Sequence, residues 1–457
     1  MKKLLFYAIA LLSVATVFSG CKKDEVVDLV PSISVTQPEV YPSEGGTYTL
    51  SCNIENALEG MALEASSKDE WITNIVVDGA NVSFNLTMNN SPKERNGSII
   101  LKYQDAEEVR INVKQESGEN SYTAISESGT ANCYIVSTTG KFTFPMVKGN
   151  STESVGEVSS MEILWKSFGT DVVPESGDLI TEVYCKGDLA YFVTGTEFKK
   201  GNALIAAKDK DGKILWSWHI WMTDQPEDQV YKNNAGTMMD RNLGATSVTP
   251  GEVEAIGLLY QWGRKDPFLG SSSIKECIMA KSTLDQWPSS VDPATGGIIE
   301  YVIANPTTFV KNETSYTSDW LSSADGNLWK KEKTIYDPCP PGYRVPDGGT
   351  DGIWYKALGS TNLFYYTFDS KTIGANFGSS GSGTIKLTEE ENCWYPACGI
   401  HSGTQDKLMA NGFNGSWSNT ASLGTVSYCL QFSNKNKIYT DQKIGRSDAL
   451  SVRCQKE

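Results

Sequence analysis

Ala203-Leu204-Ile205-Ala206-Ala207-Lys208, Asp209-Lys210-Asp211-Gly212 and Lys213-Ile214-Leu215-Trp216-Ser217-Trp218 follow one another, and the reading of the middle four residues decides the fold. An Asp-x-Asp-Gly can open a calcium loop, but such a loop needs more oxygen ligands and a distal glutamate. Asp-Gly between two apolar runs is hairpin turn chemistry. The stretch therefore predicts two antiparallel strands. In a regular continuation Trp216 and Trp218 share one strand face and Trp221 takes the other. Rings on a strand can stack on sugars, yet one shared face is also what a core strand provides, and core packing is the preferred reading.

Outward from this hairpin, short alternating runs separated by Gly, Pro, Asn, Ser and Thr recur, which predicts a mostly β, multidomain chain with few helices. At 457 residues the chain exceeds a single core, and a prior of about 150 residues per domain suggests about three. Strand-like alternation appears in Ser32–Thr36, Thr47–Asn53, Val82–Met88, Ser98–Tyr103 and Val109–Lys114, so residues 32–117 read as a small Ig-like β-sandwich. Residues 118–228 read as a β-rich middle module and residues 229–457 as a C-terminal domain. A net charge of −15 argues against nucleic acid and anionic membrane surfaces as partners.

The first residues read as an export signal. Lys2 and Lys3 precede an apolar run from Leu4 to Phe18, which ends in Ser19-Gly20-Cys21. The run is shorter than the ~20 residues of a membrane span, and small residues before a cysteine suit a lipoprotein signal peptidase. Residues 1–21 are thus expected to be a signal with its lipobox, Cys21 the lipid attachment site and residues 22–31 a tether. The following Lys22-Lys23-Asp24-Glu25 resembles the signal that sorts Bacteroidetes lipoproteins to the outer face of the outer membrane. That resemblance implies a lipid-anchored protein facing outward, with the lipid as its sole membrane contact.

Two families are suggested by ordered landmarks. Tyr41-Pro42, Gly45-Gly46, Glu70-Trp71-Ile72, Asn89-Asn90, Arg95-Asn96-Gly97-Ser98-Ile99 and Val113-Lys114-Gln115 resemble the BACON domain. The resemblance implies a tight turn at the glycine pair, Trp71 against the core, and a last hairpin opened by Arg95-Asn96-Gly97. It implies a stalk or a carbohydrate- or mucin-binding module. Met239-Asp240-Arg241-Asn242-Leu243-Gly244-Ala245, Gly257-Leu258-Leu259-Tyr260-Gln261-Trp262-Gly263-Arg264 and Asp337-Pro338-Cys339-Pro340-Pro341-Gly342-Tyr343-Arg344-Val345-Pro346 come later. With Tyr395-Pro396-Ala397-Cys398-Gly399, Gly415-Ser416-Trp417-Ser418 and Ser451-Val452-Arg453-Cys454, they resemble the Fibrobacter succinogenes major paralogous domain, FISUMP. Cys398 departs from that pattern, where a small apolar residue is usual. The skeleton is similar to the C-type lectin-like fold, which implies an α+β unit whose loops form a binding face. The candidate face comprises Asn411, Phe413, Asn414, Trp417, Asn419, Tyr428, Asn434, Asn436 and Tyr439, amides and rings of the kind that make adaptable contacts. Trp417 is also read as a core residue.

Little in the chain points to chemistry. His219 and His401 stand alone, and no HExxH, paired CxxC, Gly-x-Ser-x-Gly or phosphate-binding loop occurs. Cys393 and Cys398 have the gap of the copper-binding pair in formylglycine-generating enzymes, but precede Gly415-Ser416-Trp417 where that pair follows it. Gln225-Pro226-Glu227 lacks the Trp-Asn-Asp of calcium-dependent lectins. Carboxylates are too many to single out a glycosidase pair. With Cys21 acylated, nine cysteines remain, so not all pair. One or two disulfides are expected among Cys339, Cys393, Cys398, Cys429 and Cys454, with Cys339–Cys454 the first candidate, although spacing does not determine connectivity. The expectation is a non-enzymatic binding or adhesion protein without cofactor or metal. Its partner would be a glycan or a host surface protein; the alternative is an accessory or tip subunit of a surface fibre with a pilin-like partner.

Overall fold

Alternation along the first strands separates a wet face from a dry one. In the computed structural model, which describes residues 30–36, 40–89, 91, 93–118, 122–359, 362–364, 368–378, 385–409, 412–435 and 437–457, Leu50 and Cys52 are buried while Thr49, Ser51 and Asn53 are exposed. Cys21, Asn411 and Asn436 lie outside the described residues. The chain is mostly β and divides into two compact units, residues 1–121 and 122–457.

The first unit contains β1 (Ser32–Val35), β2 (Gly46–Glu55), β3 (Glu64–Ser66), β4 (Ile72–Asp78), β5 (Asn81–Leu86), β6 (Arg95–Lys102) and β7 (Val109–Gln115). They form two sheets, ordered β1-β2-β5-β4 and β3-β6-β7, over a shared core that includes Leu50, Val82, Phe84, Ile99, Ile111 and Val113. β3 and β4 were not expected from the sequence. β3 spans three residues; β4 carries a register shift between Thr73 and Val76, with Asn74 at φ 50, so its alternation is broken. Gly45, at φ +76, has no room for a Cβ, which would stand 2.4 Å from the Leu86 carbonyl oxygen. Trp71 packs against the core under the guanidinium of Arg95, 4.3 Å from the ring centroid.

The second unit opens with β8 (Thr123–Ala124), β9 (Cys133–Val136), β10 (Lys141–Pro145), β11 (Ser160–Ser167), β12 (Ile180–Lys186), β13 (Leu189–Thr194), β14 (Gly201–Lys208) and β15 (Ile214–Met222). Two four-stranded sheets result, ordered β12-β13-β10-β8 and β11-β14-β15-β9. The predicted hairpin is β14–β15, antiparallel and in register from Gly201–Met222 to Ala207–Trp216, with a shift before Lys208–Ile214. At its turn the Asp209 carboxylate accepts the Asp211 and Lys213 amides, both at 2.9 Å, and Gly212 takes φ +82.

The hairpin also ties together residues on both sides of residue 228. β14 is buried from Gly201 to Ala207 and β15 from Trp216 to Met222. A strand apolar on both faces must be covered on both. One side, with Trp216, Trp218 and Ile220, closes on Phe144 and Phe192 of the facing sheet. On the other, Trp165, Leu204 and Trp221 share a core with Leu243, Tyr260, Trp262 and Trp417 of the C-terminal segment. Residues 122–457 pack as one compact unit.

In the C-terminal segment a mixed sheet runs through Leu258–Gln261, Ala449–Ser451, Cys398–Ser402, Phe413–Ala421, Val426–Ser433 and Lys437–Gly445. Short helices such as Ile299–Ala304 and Ile353–Leu358 accompany it. Cys339 and Cys454, the first candidate pair, form a disulfide with sequence separation 115. No helix among the described residues is long and apolar enough to cross a membrane.

Candidate functional site

The strand Phe413–Ala421 pairs regularly with Val426–Ser433 from Phe413↔Ser433 to Trp417↔Cys429, and then the register shifts before Ala421↔Ser427. An irregularity of this kind bends a strand and re-aims its side chains. Trp417 pins the strand from below: its ring is buried and its Nε1–H donates to the Tyr260 carbonyl at 2.8 Å. Trp262 donates to Ser418 O at 2.9 Å and Trp320 to Trp262 O at 2.8 Å, so each indole N–H has a carbonyl partner in the core.

The irregular residues clasp the turn that follows Arg344-Val345-Pro346. The Asn419 amide N–H donates to Pro346 O at 2.8 Å, and its side chain donates to Val345 O at 3.1 Å and Asp347 Oδ1 at 3.0 Å. Thr420 Oγ1 accepts the Gly348 N–H at 2.9 Å and donates to Asn419 Oδ1 at 2.9 Å. Arg344 grips Asp347 with two bonds, 2.9 and 2.8 Å. Burial opposes ionisation of Asp347, yet the bonds from Arg344 and Asn419 outweigh it and hold the carboxyl below its ordinary range.

Above this clasp lies an open cleft of about 640 Å³, within the size range of ligand pockets (roughly 300–1,000 Å³). Asp347, Gly348, Asn419, Thr420 and Ala421 line one side; Gly326 and Trp329 to Glu332 line another; Asp351 and Lys356 complete it. Trp329 is buried, anchored by its N–H to Tyr336 O at 2.9 Å, whereas Lys330, Lys331, Glu332, Asp351 and Lys356 are exposed. Arg446 fixes the neighbouring loop, bonding Asp319 at 3.2 Å and the Asp325 carbonyl at 3.2 Å beneath the surface.

The predicted recognition face is divided by this arrangement. Asn414, Trp417 and Asn419 are buried and cannot contact a ligand directly as surface groups; the pleat that carries them also carries the core. Asn419 reaches the cleft only as part of its wall, since its amide is committed to the turn. Tyr428 is half-buried, with Lys443 5.2 Å from its ring centroid. Phe413 and Tyr439 are half-buried and Asn434 exposed at the other end of the strand pair. Asn434 lines a second hollow of about 520 Å³ with Gly412, Ile274, Lys275 and Phe368. Six residues of strand, roughly 20 Å, separate Phe413 from Asn419. The charged groups of the cleft above Asn419 were not singled out from the sequence. The signal available was Lys330-Lys331-Glu332, a basic run in an acidic chain.

Neither histidine nor Cys393 lines this cleft. His219 is buried, bonded to Asn202 Oδ1 at 2.9 Å, and burial lowers its pKa to about 3. His401 stacks on Phe309 with centroids 4.1 Å apart. Burial pushes the Cys393 thiol up to about 11; the side chain of Cys398 lies outside the description. Among the described residues no cluster of His, Cys, Asp and Glu has metal-binding geometry.

No protein-family model matches the chain, and no curated protein does. Among solved structures, a Bacteroides ovatus GH5 xyloglucanase in complex with a heptasaccharide is 18% identical over 23% of this chain and 27% of that one, with a TM-score of 0.16. A protein from Bacteroides thetaiotaomicron is 13% identical over 22% of this chain and 99% of its own, with a TM-score of 0.17. Three Ig domains of titin are 10% identical over 45% of this chain and 69% of theirs, with a TM-score of 0.18. These similarities establish no shared architecture.

Proposed function

We propose that this chain is a lipid-anchored surface protein that binds a glycan without transforming it, and that the cleft above Asn419 and Asp347 is the binding site. Residues 32–117 are assigned in this proposal to a BACON-like spacer and the C-terminal segment to a FISUMP-like unit, with Cys21 carrying the lipid. One observation carries the binding reading: a polar cleft of about 640 Å³ is built on a strand locked from below by Trp417, with exposed charged groups around its rim. Rigid walls and polar rims suit recognition, because little ordering remains to be done on binding. Neither His219 nor Cys393 lines the cleft.

The test is an oligosaccharide array probed with the secreted form of the protein and with Asp351→Trp, which places a bulky ring in the cleft from an exposed position. Binding by the parent and a loss of about tenfold or more in the variant, ~1.4 kcal/mol, are expected. An array on which the parent retains nothing would refute the proposal.

A further inference from the structure

The neutral hydrogen-bonding groups of the cleft are already committed within the protein. Asn419 uses both amide hydrogens on Val345 O and Asp347, and its oxygen accepts from Thr420. Thr420 also accepts from Gly348, and Asp347 is held by Arg344. What remains uncommitted is charged. Among the described residues Lys330, Lys331 and Lys356 form no ion pair, and neither do Glu332 and Asp351. Three ammonium groups around one cleft are conspicuous in a chain of net charge −15. Lys333, the next lysine in the run, differs: it is tied to Pro340 O at 2.9 Å and Tyr343 O at 2.6 Å.

We propose that the cleft selects an acidic oligosaccharide, whose carboxylate or sulfate groups meet Lys330, Lys331 and Lys356 while ring hydroxyls donate to Glu332 and Asp351. This rests on the reading of the cleft as a glycan site and names the class of glycan. A neutral sugar would leave unmet the excess positive charge of the cleft, three ammonium groups against the carboxylates of Glu332 and Asp351. A wholly anionic peptide would be repelled by Glu332 and Asp351, which require donors. An acidic sugar supplies anions and donors together.

The secreted protein is titrated with a galacturonic acid hexamer, a chondroitin sulfate hexasaccharide, neutral cellohexaose and a polyglutamate decamer, at low and high salt. At least one acidic oligosaccharide is expected to bind about tenfold or more tighter than cellohexaose and the peptide, with an affinity that falls as salt rises. The triple variant Lys330→Gln, Lys331→Gln, Lys356→Gln should lose this preference, and the corresponding triple Arg variant should keep most of it. These lysines are exposed, so an unchanged thermal midpoint is expected in both. Cellohexaose binding as tightly as the acidic sugars, unaffected by the triple Gln variant, would overturn the inference and leave the glycan reading standing. Polyglutamate binding as tightly would show that charge alone is read, which also overturns it. If none of the three sugars binds, the glycan reading fails and the inference with it.

Discussion

Asp448 shows how much a single buried group can weigh on this protein. It is 6% exposed, accepts the Gly403 N–H at 2.7 Å, and burial raises its pKa to about 6. The folded state therefore holds a proton that the unfolded chain releases at its ordinary, lower pKa. The contribution of this group to stability is complete below about pH 4 and is lost as pH rises through about 6. Asp448→Asn keeps an acceptor for Gly403 and removes the titration. Urea denaturation at pH 4 and pH 7 should show the variant gaining on the parent by roughly 2–3 kcal/mol over that interval; equal differences at the two values would refute it. None of this was legible in the sequence, where Asp448 is one acid among 55, since burial is a property of the packed chain.

At the scale of elements, hairpin and strand signals were read correctly where alternation and turn chemistry agreed, as in β14–β15 and β6–β7. They failed where an irregularity broke the period, as at Asn74 in β4, and where a strand was too short to have a period, as in β3. The irregular end of Phe413–Ala421 belongs to the same class, and it is what clasps the wall of the cleft. Gly348 sits against it: a Cβ there would lie 2.0 Å from Ser418 Oγ and 2.6 Å from Ser418 Cβ. Because Ser418 Oγ is itself bonded to Tyr428 O at 2.7 Å, it cannot yield freely. Gly348→Ala is expected to cost about 1–3 kcal/mol and to weaken ligand binding, measured by thermal denaturation and titration of the same sample. An unperturbed variant would mean that the turn is not held as tightly as its bonds imply.

Across the whole molecule, the hydrophobic cluster shared by Trp165, Trp221, Trp262 and Trp417 joins residues on both sides of the expected boundary at 228. The Cys339–Cys454 bridge closes a long stretch of the same unit. Loop-closure entropy for a stretch of this length is worth about 3–5 kcal/mol. Reduction, or the double Cys→Ser variant, should lower the urea midpoint of the second unit accordingly. That unit should still lose its tryptophan fluorescence and its far-ultraviolet dichroism in one transition; two separated transitions within residues 122–457 would count against the shared core.

Local patterns determined that this chain is built from strands, where the main hairpin turns, and that its leader resembles a lipoprotein signal. Those properties depend on neighbours in sequence: side-chain alternation, turn stereochemistry and apolar run length. Tertiary structure alone decided that β15 would be covered on both faces, that Asn414 and Asn419 would lie inside, and that Lys330, Lys331 and Lys356 would meet at one cleft. These depend on residues far apart in the chain, brought together by burial of apolar surface, a force without direction whose outcome only the completed packing reveals.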